Sequence, residues 1–238
     1  MKRFVCTVLP CVVFAAVLLL CMAAAYRRQA VMTTALQEAD SPTFVLDAGH
    51  GGEDGGATGV SGVQEAALNL QIALRLQDLM HLLGMKTSMI RTTDTAVYTG
   101  DCRTISEKKA SDLKHRVELV QTVPHAILVS IHQNHFSESK YHGAQVFYAK
   151  TDGSRALAET MQSALAQYAD PGNRRACKLA GSVYLMEHIR CPGILIECGF
   201  LSNYEEEQRL CSESYQKTLA CVIAGTLLQA AAGKGASA

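Results

Sequence analysis

From residue 43 onward, the apolar and polar positions alternate between two periods. Thr43–Asp47 (TFVLD) is a short apolar run that ends in a glycine-rich loop. Ser61–Leu83 then carries Leu68, Ile72, Leu76, Leu79 and Leu83 at helical spacing. That stripe predicts an amphipathic helix. Ser61 with Gln64 three residues later reads as its capping box, and Gly84 as its stop. Met85–Arg91 reads as a strand, and Thr92–Ala110 as a polar loop. Ser111-Asp112 is expected to open a second helix bearing Leu113, Val117 and Val120.

Ala126–His132 (AILVSIH) is the clearest buried strand. It is apolar almost throughout, the pattern of a strand covered on both faces. Gly143–Ala149 is a further strand, and Ser154–Tyr168 a helix with Leu157, Met161 and Leu165 aligned. Val183–Met186 reads as a short strand. Gly193–Cys198 (GILIEC) is a second fully buried strand with one charge inside it. Asn203–Leu210 begins with an Asn-x-x-Glu cap, and Ser214–Ala231 closes the chain as a helix. Strands that alternate with helices predict a single α/β domain with a twisted, mainly parallel sheet of about six strands.

The N-terminus follows another rule. Phe4–Ala25 runs 22 residues without a charge, behind Lys2 and Arg3. That is long enough to span a bilayer. Its length favours an uncleaved membrane anchor, while Ala23-Ala24-Ala25 would suit cleavage of a secretory signal. Either way the rest is expected to be exported. The resulting division is 1–28 signal or anchor, 29–42 linker, 43–232 catalytic domain and 233–238 tail.

Composition adjusts this picture in two places. The chain has 238 residues, 22 basic and 22 acidic side chains, and a formal net charge of zero. A nucleic-acid binder would carry a clustered basic surplus, so that class is set aside. The 48% apolar content owes much to the N-terminal run. Six of the nine cysteines lie beyond it, and none forms a C-x-x-C pair. Free buried thiols are the simplest expectation, with one or two bridges left open.

The candidate chemistry gathers at strand ends. His50 follows the first strand, Glu65 lies in the first turn or so of the next helix, His132 ends AILVSIH, and Glu197 lies near the end of GILIEC. Ligands of open α/β sheets bind beyond the carboxyl ends of the strands. Two imidazoles and a carboxylate are the protein ligands of a hydrolytic zinc site. A second carboxylate is then the natural general base. Inside an apolar strand, a glutamate such as Glu197 is costly unless it is paired or faces a polar cavity. Cys198, its neighbour, should point to the opposite face and serve packing. His135 and His142 read as exposed loop residues, and Glu205-Glu206-Glu207 as a solvated helix start.

Three motifs carry a resemblance. His50-Gly-Gly-x-Asp54-x-Gly56-Ala57-x-Gly59-x-x-Gly62-x-x-Glu65, Ser130-Ile131-His132-x-Asn134 and Pro192-Gly-Ile-Leu-Ile-Glu197-x-Gly199-Phe200-Leu-Ser-Asn203 stand in one order. Together they resemble the zinc-dependent N-acetylmuramoyl-L-alanine amidases of the type 3 class. Arg91-x-x-Asp94 and Arg116 also follow that pattern, and the match runs from about residue 43 to 230. Ala48 stands where the family commonly has Pro, and Ala66 where Lys is common. No ligand position is lost.

The resemblance implies that His50, Glu65 and His132 hold Zn2+. It implies that Glu197 activates water and later protonates the leaving amine, while zinc polarises the lactyl carbonyl. The substrate would be the peptidoglycan glycopeptide, released as N-acetylmuramic acid and a free peptide stem. Asn134 and Arg116 are the candidates for contacting the peptide or for holding the active-site loops. Asp112-Leu-Lys-x-Arg116 and His142-Gly-Ala-Gln-Val-Phe-Tyr148 look closest to the spore-cortex amidases. That subgroup implies a role in forming muramic-δ-lactam, a membrane tether through residues 4–25, and a helper lipoprotein or a deacetylase as partner. Two rival readings remain: a zinc peptidase acting on peptide stems, and a membrane-tethered wall-binding module without activity.

Overall fold

A computed structural model describes residues 19–20, 22–27 and 41–235. Residues 19–20 and 22–27 are helical and exposed. Most of the apolar run 4–25, residues 29–40 of the linker and the last three residues lie outside the described residues. Among those described, no helix is long and apolar enough to cross a membrane.

The unit from Pro42 onward is built on six strands. These are β1 (Thr43–Ala48), β2 (Lys86–Met89), β3 (Ala126–Asn134), β4 (Gln145–Tyr148), β5 (Lys178–Leu179) and β6 (Gly193–Phe200). They lie in the order β2-β1-β3-β6-β4-β5. All neighbouring pairs are parallel except β4 with β6. The helices are α1 (Glu65–Leu82), α2 (Ile105–Thr122), α3 (Ser154–Ala164), α4 (Tyr184–His188), α5 (Tyr204–Cys211) and α6 (Glu213–Gly235). α3 continues as a π turn over Leu165–Ala169.

Side chains alternate along each strand, so each strand feeds two cores. Phe44 and Leu46 of β1, Ile127, Val129 and Ile131 of β3, and Ile194 and Ile196 of β6 pack with α1, α3 and α6. Val45, Leu128 and Leu195 pack with Val117 and Val120 of α2 and with Leu185 and Met186 of α4. Helices on both faces explain why β3 and β6 read as unbroken apolar runs.

Four expectations need correction. α1 starts at Glu65 and has no side-chain cap. Residues 58–64 instead fold back in a bridge between Thr58 and Gln64, and Ser61 donates to Glu207. α2 starts six residues earlier than Ser111. Thr104 and Glu107 form its capping box, a Thr-x-x-Glu pattern inside the stretch expected to be loop. Val183–Met186 is not a strand, because Tyr184–His188 is a turn of helix and the strand before it is Lys178–Leu179. The acidic start of α5 is not solvated throughout. Asn203 caps it as expected, but Glu206 and Glu207 are buried. They accept backbone N–H bonds from Gly143, Phe200 and Ser61.

Candidate metal centre

The face of the sheet toward α2 and α4 changes character along its strands. Val45, Leu128 and Leu195 are apolar. Two residues further on stand Asp47, Ser130 and Glu197, with His132 beyond Ser130. The register aligns Asp47 with Ser130 and His132 with Glu197. Neighbouring strands lie about 4.8 Å apart, so these polar groups form one row at the carboxyl edge.

Glu65 joins the row from the first turn of α1. One of its oxygens, Oε1, accepts from His132 Nδ1 at 3.0 Å, from the Gln133 N–H at 3.1 Å and from Asn69 Nδ2 at 3.2 Å. The other, Oε2, accepts from the Ala57 N–H at 2.9 Å and lies 3.3 Å from His50 Nε2. Burial alone would raise the Glu65 pKa. The two imidazoles hold it well below the usual carboxylate range instead. Burial likewise works against a proton on His50, but its contacts to Glu65 and Asp54 outweigh that and raise its pKa to about 9.

His50, Glu65 and His132 therefore each present a ligand atom to a common point, all within 4.8 Å of one another. The two rings meet edge-on, with centroids 5.1 Å apart. Two imidazoles crowding one carboxylate is the donor set expected for zinc. His50 Nδ1 lies 3.0 Å from Asp54 Oδ2. A carboxylate there orients the ring and leaves Nε2 facing inward.

Two glycines make room for this packing. A Cβ on Gly49 would collide with the His132 imidazole. A Cβ on Gly56, at φ +70°, would fall 2.6 Å from Glu65 Oε2. His50 itself has a left-handed φ of +61°.

Glu197 stands on β6 opposite His132. Its Oε2 is buried and has no hydrogen-bond partner among the described residues. Burial raises its pKa to about 7, against a lowering influence from His132. Among the described residues no basic side chain pairs with it, and a perturbed, unpaired carboxyl of this kind marks a functional-site candidate. Cys198 points the other way into the α1 core, where burial pushes its thiol pKa up. The six described cysteines are free. His135 and His142 are exposed. Asn134 ends β3, half-buried, and its side-chain amide has no hydrogen bond among the described residues.

Arg116 bonds the loop that carries His50. Its side chain is 3% exposed, and its guanidinium is occupied by Asp47, Asp112 and backbone carbonyls. Burial would raise the Asp47 pKa, but Arg116 beside it overrides this and lowers it. Asp47 went unnoticed in the sequence, although a carboxylate ending an apolar strand is the same signal that singles out Glu197. Asn69, one turn beyond Glu65, carried no signal beyond its helical spacing.

An open cleft lies over this row. Its walls include His50, His132, Tyr98, Ile105, Leu113 and Leu185.

The chain matches the family model described as N-acetylmuramoyl-L-alanine amidase over residues 44–229. It is 36% identical over 191 residues to the germination-specific N-acetylmuramoyl-L-alanine amidase of Bacillus subtilis (strain 168), covering 80% of each chain. Among solved structures it resembles the CwlD amidase from Clostridioides difficile in complex with the GerS lipoprotein. That match has a TM-score of 0.75 and 37% identity, and covers 79% of this chain and 97% of that one. The N-acetylmuramoyl-L-alanine amidase from Clostridium difficile 630 matches with a TM-score of 0.69 and 32% identity, over 80% and 96% of the two chains. With fold and sequence in agreement, the chain belongs to the N-acetylmuramoyl-L-alanine amidase family.

Proposed function

We propose that this amidase is a zinc enzyme in which His50, Glu65 and His132 hold the metal and Glu197 moves the proton. The observation that carries this is the convergence of those three ligand atoms beside a buried, unpartnered Glu197 oxygen. A zinc ion held there supplies Lewis-acid activation of water and of the substrate carbonyl. Glu197 accepts the proton of the attacking water. It returns that proton to the amide nitrogen as the peptide stem leaves. A pKa of about 7 suits a group that must both take and give a proton near neutrality. Asn134, with its amide unengaged at the end of β3, is placed in this reading as a substrate contact. Arg116 serves from beneath.

The bond cleaved is the amide between N-acetylmuramic acid and L-alanine. We place the reaction in spore-cortex maturation, where removing the stem precedes formation of muramic-δ-lactam. Similarity to a germination-specific amidase supports this. A deacetylase partner would complete the lactam. A helper lipoprotein is the second proposed partner, supported by the relative solved in complex with a lipoprotein. Export, with a tether through residues 4–25, follows from the uncharged N-terminal run.

The test is hydrolysis of purified peptidoglycan by the full chain with and without zinc, with both products analysed. The expected product is a stem peptide with a new free N-terminal alanine, formed only when metal is present. A stem shortened at its other end would establish a peptidase instead. Undiminished hydrolysis by a metal-free preparation would refute the zinc mechanism.

A further inference from the structure

Resting on the metal-site reading, we infer that Arg116 is a positioning residue for His50, acting on the loop that carries it. The problem it solves is visible in the backbone. His50 adopts φ +61°, a conformation that non-glycine residues reach only at a cost. Such a conformation persists only where its surroundings over-determine it.

The surroundings here are two buried guanidinium groups. Arg91, just after β2, donates from Nε to the Ala48 carbonyl at 2.8 Å and from Nη2 to the Gly49 carbonyl at 3.0 Å. Arg116, on α2, donates from Nη1 to the Ala48 carbonyl at 3.1 Å and from Nη2 to the His50 carbonyl at 2.7 Å. Three consecutive carbonyls are thus held from two separate elements. The same Arg116 meets Asp47 Oδ1 at 2.5 Å and Asp112 Oδ2 at 2.6 Å. Asp47 Oδ2 in turn accepts from Ser130 Oγ at 2.6 Å, which ties the end of β1 to β3.

α2 also reaches the imidazole of His50. Lys109 Nζ lies 2.9 Å from Asp54 Oδ1, and the other oxygen of Asp54 meets His50 Nδ1. One helix therefore grips this ligand at its carbonyl and, through Asp54, at its ring. A buried ion pair is weak ground for stability, because desolvation offsets the attraction. What the Asp47–Arg116–Asp112 group fixes is the place of a ligand. Only a planar fork of donors spans these acceptors together, and lysine does not.

The test strips the full chain of metal and titrates it with Zn2+ against a chromophoric chelator. A parallel titration with Co2+ reads coordination from the visible spectrum. Arg116→Lys is expected to bind zinc roughly 10- to 100-fold more weakly, the range for groups that orient a ligand, with an altered cobalt spectrum. Val120→Ala loosens α2 from the core without touching the loop. It should lower the melting temperature and leave affinity and spectrum unchanged.

Wild-type affinity and spectrum in Arg116→Lys would overturn the positioning role while leaving the metal site intact. An equal loss of affinity in Val120→Ala would also overturn it, by showing a general structural effect. A wild-type chain that binds neither metal would overturn the metal-site reading and this inference with it. If Arg116→Lys does not fold, Asp112→Asn takes its place, because it keeps Arg116 and Asp47. It should weaken zinc several-fold, and unchanged affinity there would overturn the inference.

Discussion

The two faces of the central sheet use the same strands for different ends. Toward α1, α3 and α6 the strands stay apolar through Ala48, Ile131 and Cys198, all fully buried, and only Gln133 at the end of β3 is polar there, bonded to Asn69 of α1. Toward α2 and α4 they begin apolar, with Val45, Leu128 and Leu195, and finish in Asp47, His132 and Glu197. Because side chains alternate, one strand supplies both faces and the two roles need not compete. The first face contributes burial. The second uses that rigidity to place charged groups that burial alone would expel.

Substitutions on the two faces should therefore separate binding from stability. His132→Ala has the largest expected effect. It removes one of the three proposed ligands, so stoichiometric zinc and amidase turnover should both vanish while the chain still folds, as read by metal analysis and circular dichroism. Leu46→Ala, on the opposite face, should cost about 2–5 kcal/mol in denaturant unfolding. The molecules that remain folded should bind zinc normally. Retained zinc in the first variant, or lost zinc in the second, would break the division.

Gly49→Ala tests the seam between the faces. Its Cβ would collide with the His132 imidazole, so the ring must shift. We expect zinc affinity to drop roughly 10- to 100-fold, comparable to losing an orienting group, in the chelator competition.

A further effect is one of pH. The folded pKa of His50 without metal is raised from 6.5 to about 9. Its contribution to stability is then complete below pH 6.5 and is lost as pH rises through about 9. The metal-free protein should melt progressively lower across that window. Zinc affinity should run the other way, rising by up to about tenfold per pH unit, because a metal needs the neutral imidazole. A flat affinity profile from pH 6.5 to 9 would exclude His50 from the ligand set.

Much of this arrangement is legible in the sequence, and the reasons are local. The unbroken apolar runs of β3 and β6 announce strands covered on both sides, and Glu197 stands out because a charge in such a run demands an explanation. The glycine-rich loop announces close packing. What remained hidden depends on contacts distant along the chain. Ser61 has the spacing of a cap, yet Glu207, on α5, takes its N–H and hydroxyl. Glu206 and Glu207 look like a solvated helix start until Gly143, Phe200 and Ser61 fold onto them. Arg116 shows its role only when α2 packs against the end of β1, because no spacing within α2 points to the carbonyl of His50.

The most direct test of the whole account is Glu197→Gln, measured for bound zinc and for release of stem peptides from peptidoglycan. Glutamine keeps the size of the side chain but cannot carry the proton. We predict a full equivalent of zinc with turnover reduced by about 10²–10⁴-fold, the usual contribution of a general acid–base. Turnover near that of the wild type, with zinc bound, would contradict the account.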